Sequence, residues 1–161
     1  MAYGLTLRIL ALVIGLAPAL ALGMGGDSGG GNAPETKVEN PLYDAGVKAV
    51  RAKDFRGAIP LLEKVVAADA KNADAFNYLG FSHRKLGEFD KALGHYQTAL
   101  NLKPDHRGAH EYIGELYLEL NDLKRAEEHL ARLDRLCLFG CEEYTDLKNA
   151  VAAYKKARGI T

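Results

Sequence analysis

Tryptophan is absent from this 161-residue chain, cysteine and methionine occur twice each, and neither sign of charge is in excess: 21 Lys and Arg stand against 21 Asp and Glu. A formal net charge of zero excludes a global basic field of the kind that attracts nucleic acid or an anionic membrane surface, so any charged recognition must be local. The two cysteines, Cys137 and Cys141, are neither a C-x-x-C pair nor followed by His, which excludes a c-type haem attachment. No phosphate loop, nucleophile elbow or dinucleotide fingerprint occurs, so nothing in the motifs points to an enzyme, a metal or a cofactor. The apolar run from Ile9 to Leu22 is interrupted by Gly15 and Pro18 and falls short of the ~20 residues a spanning helix needs.

That run follows Arg8 and ends in small residues, Ala19 and Ala21, the layout of an export signal with an A-x-A cleavage pattern. Residues 1 to 21 are expected to be a signal peptide, which places the protein outside the cytoplasm, in the periplasm if the host is Gram-negative. The alternative is a membrane anchor retained through residues 5 to 24. Much of the glycine lies just beyond, and residues 22 to 38 contain almost no large apolar side chain. Such a segment cannot offset the entropy of ordering its backbone and is expected to be a flexible tether.

The remainder repeats. Windows 39 to 72, 73 to 106 and 107 to 140 align without a gap, a period of about 34 residues that marks helix-turn-helix arrays. In the middle window Phe76, Leu79 and His83 recur at three and four residues, Leu86-Gly87 breaks the pattern, and Phe89, Ala92, Leu93, Tyr96, Ala99 and Leu100 resume it. Two short amphipathic helices are predicted per window, with Gly80 and Ala92 where their backbones approach and Pro104 ending the second. Pro60, early in the second helix of the first window, predicts a bend rather than a break.

At these residues the chain resembles the tetratricopeptide repeat (TPR) family. Phe76, Leu79, Gly80, Ala92, Tyr96, Ala99 and Pro104 match its pattern, and His83 departs from it. The third window supplies His110, Ile113, Gly114, Tyr117, Ala126, Leu130 and Leu133, and the first Leu42, Ala45, Gly46, Ala49, Ala58, Leu62 and Val65. The resemblance implies an all-α solenoid of three repeats, of the small exported bacterial type. Residues 141 to 158 continue the register with Tyr144, Leu147, Val151 and Tyr154 on one face, but Lys148 takes the glycine position. They are expected to form a capping helix at which the array ends.

The resemblance also implies function: a non-enzymatic scaffold that binds a protein or peptide through the concave face lined by the first helix of each repeat. Carried over, that geometry assigns Tyr43, Val47, Asn77, Phe81, Arg84, Lys85, Glu111, Glu115 and Glu119 to the groove. Tyr43, Val47, Val50 and Phe81 are expected as exposed apolar anchors, and Glu111, Glu115 and Glu119 as an acidic stripe for a basic segment, partly offset by Arg84 and Lys85. The plainer reading of that stripe is a solvated face. The positions of the Lys, Asn and Arg carboxylate clamp found in some members hold Tyr43, Val47, Tyr78, Gly108 and Tyr112 instead, so capture of a C-terminal carboxylate is not expected.

An even cysteine count in an exported chain favours a Cys137–Cys141 disulfide, with Gly140 permitting the turn, whose use would be to fix the angle of the cap. Two alternatives to the envelope scaffold are a thiol-redox protein working through Cys137 and Cys141 and a membrane-anchored assembly factor. His106 and His110 share a spacing suited to two metal ligands, but a third is not evident and packing accounts for them.

Overall fold

A computed structural model describes residues 40–160; the expected signal peptide and tether lie outside the described residues. Seven helices and no strand occur among them: α1 (Pro41–Arg51), α2 (Phe55–Ala68), α3 (Ala73–Lys85), α4 (Phe89–Leu102), α5 (Arg107–Glu119), α6 (Leu123–Leu136) and α7 (Glu142–Arg158). The period is written into the element bounds, since α2, α4 and α6 are equal in length and begin at Phe55, Phe89 and Leu123, one period apart. None of these helices is long and apolar enough to cross a membrane.

The turn inside each hairpin repeats as closely. Lys53, Gly87 and Asn121, which share one window position, all adopt positive φ, at 61°, 76° and 61°. Only Gly87 does so without a steric cost. The next residue caps the second helix: Asp54 Oδ1 accepts from Gly57 N–H at 2.9 Å and Asp122 Oδ1 from Arg125 N–H at 3.0 Å. In the middle hairpin this place is Glu88, which makes no capping bond. Its carboxylate lies 2.7 Å from Nδ1 of His83 instead. That contact, with the stacking of His83 on His95 at 5.1 Å, explains how a histidine serves where the family pattern has an aromatic. Pro60 lies inside α2, which runs through it as one helix.

Alternation of small and large residues sets the packing. A β-carbon on Gly46 would come 2.8 Å from Leu62 of α2, and one on Gly80 would come 2.5 Å from the Tyr96 ring of α4. Each glycine is a notch that a fully buried side chain from the partner helix fills. In the third hairpin the notch at Gly114 is filled from outside the hairpin, by Leu147 of α7, whose Cδ2 would lie 2.5 Å from an added methyl. Accordingly α7 packs chiefly against α5 and less against α6. Ala58, Leu62, Val65, Ala75 and Leu79 are buried together at one end, and Tyr96, Ile113, Leu116, Leu133 and Leu147 at the other. Each large apolar side chain among them contributes about 1.5–3 kcal/mol on removal from water.

Candidate functional site

The first helices α1, α3 and α5, with α7, line a groove floored by aromatic rings. Tyr43 meets Tyr78 edge-on at 6.1 Å, Phe81 lies 4.8 Å from Tyr112, and Phe55 lies 5.9 Å from Phe81. Tyr78 and Tyr112 are shared by two cavities of about 460 and 490 Å³. Tyr43, Asp74, Asn77, His106, Gly108, Glu111, Glu142, Glu143 and Asp146 complete the first. The second is completed by Val50, Arg51, Lys53, Phe55, Phe81 and Lys85. Polarity follows helix direction: Asp74, Glu142 and Glu143 are in first turns, while Arg51 and Lys85 are in last turns. Carboxylates at helix N-termini and cations at C-termini are the arrangement the helix dipole favours, and the first cavity is accordingly acidic and the second basic.

The residues predicted from sequence divide in this structure. Tyr43, Asn77 and Glu111 meet in the acidic cavity, and Phe81 and Lys85 in the basic one. The expectation that Val47 and Val50 stand exposed as anchors is corrected: they are 8% and 7% exposed. Val50 packs in the cluster with Leu62 and Leu79 because the first hairpin, at the edge of the array, needs its own apolar contact with α2 and α3.

Arg84 is no free cation either. It is 3% exposed, its Nη1 donates to Glu119 Oε1 at 2.9 Å, and its Nη2 donates to Glu115 Oε2. The guanidinium also stands over the rings of Phe81 and Tyr112, at 5.5 and 5.8 Å. Arg84 therefore ties α3 to α5 beneath the groove and holds two carboxylates of the expected stripe. Lys85 does not join them; its Nζ lies over the Phe81 ring at 5.1 Å. With Arg84 engaged, Glu115 and Glu119 border a smaller third cavity of about 240 Å³ and are separated in role from Glu111.

Glu111 is strongly perturbed by its place in the groove. It is 8% exposed, and burial, then the neighbouring Glu115, Asp146 and Glu143, push its carboxyl up to about 8, against a smaller opposing pull from Arg84. Burial likewise raises the Tyr43 and Tyr112 hydroxyls, which stay protonated at neutral pH. His106 and His110 have separate roles. His106 Nδ1 accepts from Ala109 N–H at 3.2 Å, capping α5, and its Nε2 lies 2.9 Å from Asp74. His110 Nε2 lies 3.0 Å from the Pro104 carbonyl and donates to it, which leaves its Nδ1 to accept from His129 at 2.9 Å. Among the described residues no group of three His, Cys, Asp or Glu is placed to hold a metal ion.

The sequence placed Tyr78 and Tyr112 only at the positions of the absent carboxylate clamp, not among the binding residues, and did not assign Glu142, Glu143 or Asp146 to the groove. The two tyrosines carried a signal, since they occupy the same position in successive windows. The three acids carried none, because their place depends on how α7 docks. The Cys137 and Cys141 sulfurs lie at bonding distance, 2.08 Å, with Cα atoms 5.6 Å apart. They are the C-cap of α6 and the N-cap of α7 rather than two turns of one helix, and Gly140 between them takes φ 85°. The link therefore fixes the start of the helix that supplies the acidic wall.

Residues 51–133, just over half of the chain, match the family described as "Anaphase-promoting complex, cyclosome, subunit 3", and the chain belongs to that family. It is similar to DnaJ homolog subfamily C member 3 from Gallus gallus, 32% identical over 81 residues that cover 50% of this chain and 16% of that protein. The chain thus spans a small part of the length of that curated relative. Among solved structures, the first TPR of Spaghetti bound to an HSP90 peptide superposes with a TM-score of 0.61 at 21% identity, covering 70% of this chain and 89% of that one. PcrH in complex with the chaperone binding region of PopD gives 0.62 at 21% identity, covering 73% and 89%. These likenesses agree with the helices in giving an all-α TPR-type solenoid.

Proposed function

We propose that this chain is a non-enzymatic scaffold that binds a peptide segment of another protein along the groove of α1, α3, α5 and α7. The observation that carries this reading is the aromatic floor that runs unbroken through both cavities by way of Tyr78 and Tyr112. Aromatic rings held in place by their neighbours supply large contact area at low entropic cost, which is how binding hot spots are built. Two structural relatives, Spaghetti bound to an HSP90 peptide and PcrH in complex with the chaperone binding region of PopD, support the same reading. Selection of a random peptide display library on the full chain tests it. Enriched peptides should lose at least tenfold in affinity with Phe81→Ser or Lys85→Glu and none with Gln97→Ala, at an exposed position of α4. Peptides indifferent to both groove variants would refute the groove.

We further propose that the protein is of the small exported bacterial type and acts in the cell envelope, periplasmic in a Gram-negative host. The pattern of residues 1 to 21 and the paired cysteines support this. Intact mass and fractionation of the protein from its source would decide it: a chain that begins after Ala21, in the envelope fraction, is expected, and an uncleaved chain in the membrane would favour anchoring by residues 5 to 24.

A further inference from the structure

The acidic cavity contains one fully buried acceptor with nothing to accept from, the Oδ1 of Asn77, and beside it the largely buried carboxyl of Glu111. Glu111, 8% exposed, makes no hydrogen bond or ion pair among the described residues. Asn77 is 5% exposed, and its Oδ1 has no donor. Both face the same cavity of about 460 Å³. A buried polar group left without a partner costs on the order of 1–3 kcal/mol, and such groups are rare in folded proteins unless a ligand completes them.

The surroundings specify what would complete them. Glu142 and Asp146 on the rim have no cationic partner among the described residues, whereas His106 stands 2.9 Å from Asp74 and Arg107 3.6 Å from Glu143. Tyr43, Tyr78 and Tyr112 form the walls. Acceptors at the base, carboxylates at the rim and ring faces at the sides are the elements of organic-cation recognition. A bare metal ion is a poor fit, because no three potential ligands converge.

Building on the groove-binding function, we propose that this cavity is a specificity pocket for a lysine or arginine side chain of an extended peptide, held by Glu111 and Asn77. The peptide origin follows from continuity: Tyr78 and Tyr112 pass directly into the second cavity, where Phe81 receives the neighbouring side chains. A cation beside Glu111 favours its ionised form, so binding strengthens as pH rises towards 8 and releases a proton below it. The groups that set this balance are Glu115 and Tyr112 on α5, Glu142, Glu143 and Asp146 on α7, Asp74, Tyr78 and Arg84 on α3, His106 before α5 and Tyr43 on α1.

The test uses the isotope-labelled full chain in NMR titrations at pH 8 and constant ionic strength, with n-butylammonium, n-propylguanidinium and n-butanol as probes. Saturable shifts at Asn77, Glu111 and Tyr112 are expected with both cations and not with the alcohol. Glu111→Gln, close in shape and neutral, should weaken the cations at least tenfold, and the exposed-site variant Asp146→Asn about two- to threefold. Absence of saturable shifts, or equal affinity in Glu111→Gln, overturns the pocket. A parallel titration with lysine-containing and lysine-free pentapeptides separates this proposal from the function beneath it. If peptides bind over Phe81 without regard to lysine, the cation pocket fails and the groove survives. If only the small cations bind, the pocket takes cations but the peptide occupant is refuted.

Discussion

Leu147 fills the notch at Gly114, and by doing so it moves a helix across a repeat boundary. The corresponding notches at Gly46 and Gly80 receive Leu62 and Tyr96 from within their own hairpins. Here the filling side chain comes from α7, so one contact seats the cap on α5 and brings Glu142, Glu143 and Asp146 to the groove.

Gly114→Ala should therefore destabilise the protein by about 2–3 kcal/mol, since neither Leu147 nor the α5 backbone can give way without opening the core. Gly94→Ala is the control. Nothing lies within 4 Å of a β-carbon there, and the helix gains up to about 1 kcal/mol from the change. Urea unfolding of the two variants checks both signs.

Arg84→Met leaves Glu115 and Glu119 facing each other with no cation. A loss of about 2–3 kcal/mol is expected, less than for a fully buried pair because both carboxylates reach solvent. The same variant removes the positive charge that opposes the upward shift of Glu111. Its carboxyl should move further up, read by carbon NMR titration of side-chain carboxyls.

Glu111 makes stability depend on pH in a defined direction. Its carboxyl is higher in the folded chain, about 8, than in an unfolded one, so its neutral form stabilises the fold below the unfolded value and that contribution is lost as pH rises through 8. Glu111→Gln should match the parent at pH 5 and exceed it by about 1–3 kcal/mol at pH 9. Thermal melts of both proteins across that range check it.

His129 acts in the opposite direction. Burial and the neighbouring His110 push its imidazole down to about 4, so its contribution is complete above the usual value near 6.5 and is lost as pH falls through 4. Replacing it by Phe forfeits the 2.9 Å contact with His110, at about 1 kcal/mol near neutrality. The deficit relative to the parent should shrink or reverse by pH 4. Comparing the pair at each pH removes the opposing contribution of Glu111.

The repeat spacing, the glycines and the turn positions were legible because they rest on local chemistry. Gly87 marks its turn by residue type alone, whereas Lys53 and Asn121 take the same φ without announcing it and are found only by register. Phe81 and Lys85 could be placed in the groove by counting from the window start. Val47 and Val50 could not be placed correctly, since the count says which way a side chain points and not whether packing buries it.

The sequence by itself determined the helical periodicity, the hairpin pairing and the small residues at which helices approach. These follow from helix geometry and side-chain size over a few turns of chain. Only the tertiary structure decided that Arg84 is consumed by Glu115 and Glu119, that the Oδ1 of Asn77 is buried without a donor beside Glu111, and that α7 closes the acidic cavity. Each of these depends on groups far apart in the chain being brought into contact, and on how much water their packing excludes, neither of which a one-dimensional pattern records.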